Sequence, residues 1–307
     1  MAPLSLSIKR EPFGGPSAQR AHVFSGRALQ ITTSNTTITF GPRPLVMGIL
    51  NVTPDSFSDG GRFTQEEALS AQIRSLLDNG ADLIDVGGES TRPYAEPVSE
   101  QEELRRVIPA ITCIRAMHRS IPVSIDTTKA EVAHQALNAG ADIINDVSAL
   151  RFDPDMIRIA IAHDAPVILM HMRKTPKDMQ DEPVYDDVIQ EITDFLAERI
   201  SWATEQGLAR ERIIVDPGLG FGKTVMHNLS ILKHVRGFKN LGCPLLIGHS
   251  RKGFIGKLLD LETQERDPAT ALISSYCATQ GADILRVHDV KKTMQAVRLH
   301  EAILQAP

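Results

Sequence analysis

The sequence predicts an α/β protein folded as a (β/α)8 TIM barrel with an N-terminal β-hairpin, and three observations carry that expectation. From residue 45 onward a unit of short apolar strand, polar or glycine-rich stretch and amphipathic helix recurs eight times. Three strands are entered through the same wording: Gly80-Ala81-Asp82, Gly140-Ala141-Asp142 and Gly281-Ala282-Asp283. Nearly every strand is followed at once by a polar or ionisable residue. Eight such units in about 260 residues suit a closed barrel better than a doubly wound sheet, which usually needs fewer strands and a visible switch point.

Residues 1–20 mix Pro3, Pro12, Gly14, Gly15 and Pro16 with Lys9, Arg10 and Glu11, without helical or strand period, and read as a loose tail. Residues 21–307 then form one barrel domain, since no linker divides them. Two β-rich runs at 28–33 and 36–40 flank Ser34-Asn35, which suits a hairpin able to plug one barrel end. The barrel strands are expected at 45–50, 82–86, 122–125, 142–145, 166–170, 213–215, 244–247 and 284–287. In each repeated triplet Gly can cap the preceding helix and Ala permits a tight passage into the strand, so the triplets belong to the scaffold.

The chemistry gathers at the carboxyl ends of the strands, where a barrel builds its site. Those ends carry Asn51, Gly87-Gly88-Glu89, Asp126, Asn145 with Asp146, His171, Asp216, Ser250-Arg251-Lys252, and Arg286 with His288. The plainest case is Ile213-Ile214-Val215, a β-branched run that delivers Asp216 into Pro217-Gly218-Leu219-Gly220-Phe221-Gly222-Lys223. Asp126, Asn145 and Asp216 offer acceptors and an amide, the complement of a flat heterocycle with amino and ring N–H donors. Asn51, Arg92, Arg286 and His288 suit an anion: arginine forks match phosphate oxygens, and an amide oxygen can add one ligand to a magnesium ion held by phosphates. Structural roles compete at two places. Arg286 and His288 could instead close their strand by pairing with Asp283 or Asp289, and His171, between Met170 and Met172, reads as a hydrogen-bonded core histidine. Gly220-Phe221-Gly222-Lys223 lacks the Gly-Lys-Ser/Thr ending of a phosphate loop, so nucleotide binding by that route is set aside.

Composition narrows the class. The chain has 307 residues, 42% hydrophobic and 23% charged, enough to bury a full core, and a formal net charge of −5 argues against a broad nucleic-acid face. Cys113, Cys243 and Cys277 are too scattered for a disulfide framework or metal-ligand spacing; they read as core thiols in a cytoplasmic protein. No apolar run approaches the roughly 20 residues of a membrane span, and the start lacks the apolar block of a secretory signal.

Taken in order, these stretches resemble the dihydropteroate synthase family. Met47-Gly48-Ile49-Leu50-Asn51-Val52-Thr53-Pro54-Asp55-Ser56-Phe57-Ser58-Asp59-Gly60-Gly61 is similar to its first signature, and Gly87-Gly88-Glu89-Ser90-Thr91-Arg92-Pro93 to its second loop. Ser124-Ile125-Asp126-Thr127, Ile144-Asn145-Asp146-Val147, Met170-His171-Met172-Arg173, the Asp216 stretch, Ser250-Arg251-Lys252 and Arg286-Val287-His288-Asp289 continue the match over about residues 45–295. The resemblance implies condensation of 6-hydroxymethyl-7,8-dihydropterin diphosphate with p-aminobenzoate to give 7,8-dihydropteroate and pyrophosphate. It implies that Asp126, Asn145, Asp216 and Lys252 hold the pterin, with Asp126 also stabilising the positive methylene left by pyrophosphate. Asn51, Arg92, Arg286 and His288 are implied at the diphosphate, Asn51 touching Mg2+, and Phe57, Thr91, Arg92, Pro93, Phe221 and Gly253 at p-aminobenzoate. Asp126, Lys252, Arg286 and His288 would then carry catalysis, and a homodimer through the later helices is implied too.

Three positions depart from the family pattern. Tyr94 stands where Gly usually follows Arg-Pro, and Lys174 where Gly is common. Gly253 replaces a frequent Ser, removing a hydroxyl from the reach of the p-aminobenzoate carboxylate, which bears on affinity for that substrate and for the sulfonamides that mimic it. Two rival readings share the pterin contacts: the pterin-binding barrel of a corrinoid-dependent methyltransferase, which has no use for a diphosphate grip, and a noncatalytic pterin-binding paralogue, which would lose Asp126 or Arg286.

Overall fold

Alternation with a period of two builds the barrel interior. The computed structural model describes residues 29–52, 62–90, 97–174, 179 and 183–307. Residues 1–28, expected to contain the tail, lie outside them, as do Phe57, Thr91, Arg92, Pro93 and Tyr94. A hairpin, β1 (Gln30–Thr32) and β2 (Thr37–Thr39), comes first. The barrel follows as β3 (Leu45–Asn51), α1 (Arg62–Asp78), β4 (Leu83–Gly87), α2 (Glu100–Met117), β5 (Val123–Asp126), α3 (Ala130–Asn138), β6 (Ile143–Asp146), α4 (Met156–Ala162) and β7 (Val167–Met170). It continues with α5 (Val188–Glu205), β8 (Ile213–Asp216), α6 (Val225–Lys233), α7 (Val235–Phe238), β9 (Leu246–Ile247), α8 (Gly253–Leu259), α9 (Asp267–Thr279), β10 (Ile284–Val287) and α10 (Val290–Gln305). The eight barrel strands are parallel and run β8-β7-β6-β5-β4-β3-β10-β9; a bridge between Val215 and Leu245 joins the two ends.

The expected strands are all present, with a one-residue difference of consequence. Asn51, Asp126 and Asp216 are the last residues of their strands rather than the first of their loops. Their positions are therefore set by sheet hydrogen bonds, which hold a side chain more tightly than a loop does.

The hairpin plugs the amino-terminal mouth. Ile31, Ile38 and Phe40 pack on an inward layer of Met47, Leu83, Ile143, Ile168, Ile214, Leu246 and Ile284, all buried. Two larger apolar clusters lie between the strands and the surrounding helices.

The repeated triplets act alike at this end. Gly80, Gly140 and Gly281 take positive φ of 87°, 112° and 84° as their helices end. The following aspartates then hold the neighbouring strand: Asp82 accepts from Val46 N–H at 2.8 Å, Asp142 from Val123 N–H at 2.9 Å and Asp283 from Leu245 N–H at 2.6 Å. Each is ion-paired, with Arg43, Arg115 and Lys239 respectively. Asp142 also accepts from Thr33 and Asn35, which ties the hairpin turn to the barrel.

Helix starts follow their capping residues. Ser99 accepts from Glu102 N–H to open α2, Asp187 accepts from Ile189 and Gln190 to open α5, and Asp289 accepts from Lys292 to open α10. Cys243 and Cys277 are buried thiols as expected, whereas Cys113 is only half-buried, its sulfur 3.6 Å from the Ser70 hydroxyl on the neighbouring helix.

Lys174 adopts the left-handed conformation, φ 60°, where the resemblance finds glycine. A side chain there costs about 1 kcal/mol that glycine avoids. Lys174→Gly is expected to leave stability unchanged or raise it by up to about 1 kcal/mol, glycine's unfolded-state entropy offsetting part of the gain. Urea unfolding checks this, and a loss beyond about 1 kcal/mol would contradict it.

Candidate active site

The same alternation that sends Ile143, Ile214 and Ile284 into the plug layer sends Asn145, Asp216 and Arg286 inward two residues later. Polar side chains from several strands thus meet inside the upper barrel. Arg286 is their centre. Its Nε donates to Asp85 Oδ2 at 2.6 Å and its Nη2 to Asp126 Oδ2 at 2.6 Å. The local alternative is not what forms: Asp283 pairs with Lys239, and Asp289 caps α10 and pairs with Lys292.

Asp85 lies outside the strand-end set. It is in the middle of β4, fully buried, and accepts from Arg286, from the Ser124 hydroxyl, and from Asn145 Nδ2 at 3.3 Å to each oxygen. Its signal in the sequence is the same apolar-x-polar step, Leu83-Ile84-Asp85, placed one layer deeper.

Electrostatics follow from one guanidinium facing two carboxylates. Burial opposes the Arg286 charge, but Asp85 and Asp126 outweigh it and push its pKa up. Asp126 is raised to about 7, chiefly by burial, because Arg286 is shared with Asp85, whose charge adds to the rise. Asp216 is raised as well by burial, against a 2.7 Å bond from Gly218 N–H and the charge of Lys252. Lys252 is lowered to about 8 by burial and by Arg286, with Asp216 and Asp126 opposing. Its ammonium lies 4.0 Å above the Phe221 ring, a cation–π contact.

The loop after β8 is shaped by close approach. Gly218 takes φ +69°, and a Cβ there would fall 2.0 Å from the His171 carbonyl oxygen; a Cβ on Gly220 would fall 2.9 Å from the Lys252 side chain. Behind the loop, buried Lys223 donates to the Phe221 carbonyl at 2.9 Å and meets His171 Nδ1 at 3.0 Å. Burial and Lys223 drop His171 to about 2, so it is a neutral core histidine packed edge-on to Phe195. Lys223 is a clamp on this loop, a role that its glycine-rich sequence setting conceals.

The remaining strand-end residues divide. His288 is placed by Ser250, whose Oγ accepts from His288 N–H at 3.1 Å and lies 2.9 Å from Nδ1. With the hydroxyl proton on Nδ1, Nε2 carries the ring proton. Burial, with Arg251, Arg286 and Lys252 nearby, lowers the ring to about 3, so His288 meets an anion as a neutral donor. Arg251 turns away, at φ 56°, to fork onto Asp267 at 2.7 and 2.8 Å, and Asp146 folds the loop after β6 by accepting from Ser148 and Leu150 N–H. Gly253 opens α8 at an exposed position, and a Cβ added to it would meet nothing within 4 Å, so a larger residue has room.

Asn51 ends β3 half-buried, its side-chain oxygen facing Gly87, where a Cβ would lie 3.5 Å away. Among the described residues no group of three or more His, Cys, Asp and Glu forms a cation cage. A single neutral amide oxygen fits a magnesium ion carried by phosphate oxygens, and does not fit one held by protein alone.

Comparisons with known proteins agree with this geometry. The model of the pterin binding enzyme family matches residues 47–288. A dihydropteroate synthase of Synechocystis is 46% identical over 274 residues, covering 89% of this chain and 94% of that protein. A Xanthomonas albilineans dihydropteroate synthase solved with 4-aminobenzoic acid is 44% identical, with a TM-score of 0.85 over 92% of this chain and 100% of the other. The same organism's enzyme in complex with 7,8-dihydropteroate is 42% identical, with a TM-score of 0.82 over 91% and 100%. Matches of this extent, running through every strand end described above, make the chain a member of the pterin-binding enzyme family and, within it, of the dihydropteroate synthases.

Proposed function

We propose that the chain joins 6-hydroxymethyl-7,8-dihydropterin diphosphate to p-aminobenzoate, forming 7,8-dihydropteroate and releasing pyrophosphate. The observation that carries this is Arg286 bridging Asp85 and Asp126 beside Asn145, Asp216 and Lys252: a set of heterocycle-reading groups with a guanidinium among them. The arylamine nitrogen forms a bond to the pterin methylene carbon as the carbon–oxygen bond breaks. Pyrophosphate leaves with the electron pair, and the amine proton is lost. No nucleophilic side chain is needed, because a diphosphate leaves readily once its charge is met. Asp126, Asn145, Asp216 and Lys252 hold the pterin, and ionised Asp126 faces the developing positive methylene. Arg286 and neutral His288 take the leaving group. Phe221 and the backbone at Gly253 border p-aminobenzoate, with Phe57, Thr91, Arg92 and Pro93 assigned there by resemblance. Mg2+ bound to the diphosphate would neutralise the leaving charge, with Asn51 as its protein ligand.

Asp126→Ala removes a charged hydrogen bond of about 1.5–3 kcal/mol, so pterin affinity is expected to fall roughly ten- to a hundredfold by calorimetry, with slow turnover. Near-normal turnover would take Asp126 out of this role. The pH dependence has a definite sign. Asp126 must be ionised, so kcat/KM rises as pH passes about 7; Lys252 must be charged, so it falls above about 8. Asp126→Asn should abolish the acid limb alone, and an unchanged limb would contradict the assignment. Pterin binding without product in the unaltered protein would favour the noncatalytic reading.

A homodimer through α9 and α10 fits the apolar side chains they present: Leu272 is 73% exposed, Leu299 64%, Ile303 65% and Leu304 71%. Sedimentation should give twice 33.7 kDa, and the monomer mass for Leu272→Glu/Ile303→Glu. A cytoplasmic setting is part of the same reading; among the described residues no helix is long and apolar enough to cross a membrane.

A further inference from the structure

We propose that Asp85 is the positioning residue of this site, a buried carboxylate that holds Arg286 and Asn145 in the orientations that read the leaving group and the pterin. The inference rests on the reaction proposed above and adds to it a residue that touches neither substrate. Asp85 lies opposite Ser124 in the sheet, one layer below the pair Gly87 and Asp126. From there it reaches up to both ligand-reading groups.

Its first effect is on the guanidinium. Arginine beside a carboxylate prefers a two-pronged pair, both prongs on one acid. Here the fork is split between two acids: Nε donates to Asp85 Oδ2 and Nη2 to Asp126 Oδ2, at 2.6 Å each, with Nη2 also 2.6 Å from Asp85 Oδ2. The split fixes the guanidinium plane. Nε and Nη2 are thus taken up by the two carboxylates, while the two N–H groups on Nη1 donate to no described residue and remain for phosphate oxygens. Without Asp85, Arg286 would be free to close as a fork on Asp126, covering the acceptors that the pterin needs.

The second effect is on Asn145. Both Asp85 oxygens take its Nδ2, so that nitrogen faces down and Oδ1 faces the pocket as an acceptor. A reversed amide would set Oδ1 against a carboxylate. Asn145 therefore reads an N–H on the heterocycle, and Asp85 decides that it does so. The Asp85 charge also supports the rise in Asp126.

The test is a double-mutant cycle. Asp85→Asn keeps the volume while replacing one acceptor and the charge. It is expected to lower kcat/KM for the pterin diphosphate about 30- to 100-fold and to leave KM for p-aminobenzoate within twofold. In an Arg286→Gln background the same substitution should cost less than threefold. Losses that multiply in the double variant, or a p-aminobenzoate KM that moves in step with the pterin KM, would overturn the proposal.

A measurement on the unaltered protein covers the case in which Asp85→Asn does not fold. With 15N-labelled arginine, the Arg286 Nε–H signal, assigned by its loss in Arg286→Lys, should resist solvent exchange both alone and with pyrophosphate added. Exchange as fast as that of exposed arginines once pyrophosphate is bound would overturn the proposal. This signal does not depend on turnover: an unaltered protein that makes no dihydropteroate, yet protects Nε–H, would sink the reaction and leave the positioning role standing.

Discussion

Arg286→Gln is expected to lower kcat/KM for the pterin diphosphate by roughly 10²–10³-fold, the scale of losing one preorganised donor to a developing negative charge. Arg286 is the cation that two buried carboxylates share, and its Nη1 N–H groups donate to none of the described residues. Glutamine keeps one N–H for the carboxylates and removes the charge. His288 cannot substitute, since burial and three neighbouring cations keep it neutral at pH 7. Steady-state rates check the effect, with the thermal midpoint read alongside to separate lost chemistry from lost fold. A fall below tenfold would mean that the diphosphate is gripped elsewhere.

Gly218→Ala should be the most damaging small substitution for the fold. The position needs φ +69°, which costs a side chain about 1–2 kcal/mol, and its Cβ would lie 2.0 Å from a backbone oxygen of His171. That oxygen belongs to the residue leaving β7, while Gly218 leaves β8, so relief would require two strand ends to part. Overpacking adds about 1–3 kcal/mol, for a total near 3 kcal/mol or more, and a drop in Tm of about 6–10 °C. Because Asp216 accepts from the Gly218 N–H at 2.7 Å, pterin affinity should fall with it. Gly237→Ala is the control, as a Cβ there would meet nothing within 4 Å and its φ is not positive. Equal midpoints for the two variants would show that the loop has slack.

Much of this is legible in the sequence because the barrel repeats its grammar. Each Gly-Ala-Asp triplet announces a helix end and a strand start, and the structure gives all three aspartates the same task at the amino-terminal mouth. Asp126, Asn145 and Asp216 stand out because a polar residue at the end of an apolar run is conspicuous, and Arg286 because it leads at once to His288 and Asp289. Asp85 does not, since Ile84 and Val86 enclose it and no turn follows; only the inward step from Leu83 marks it. Lys223 is hidden by its glycine-rich setting, which suggests loop chemistry where the side chain serves packing.

The partner of Arg286 illustrates the deeper limit. Chain proximity offers Asp283 and Asp289, but barrel closure brings acids from 201 and 160 residues away. Local sequence shows which side chains point inward, whereas pairing across the barrel is set by strand register and closure.

One site is expected to use a pterin diphosphate and an arylamine together. Pyrophosphate release should therefore be followed from the purified protein with 6-hydroxymethyl-7,8-dihydropterin diphosphate, p-aminobenzoate and Mg2+, omitting each in turn. Release is expected only when both substrates are present, matched one for one by 7,8-dihydropteroate and slowed when Mg2+ is withheld. Release without p-aminobenzoate at the same rate, or pterin binding with no product, would contradict this.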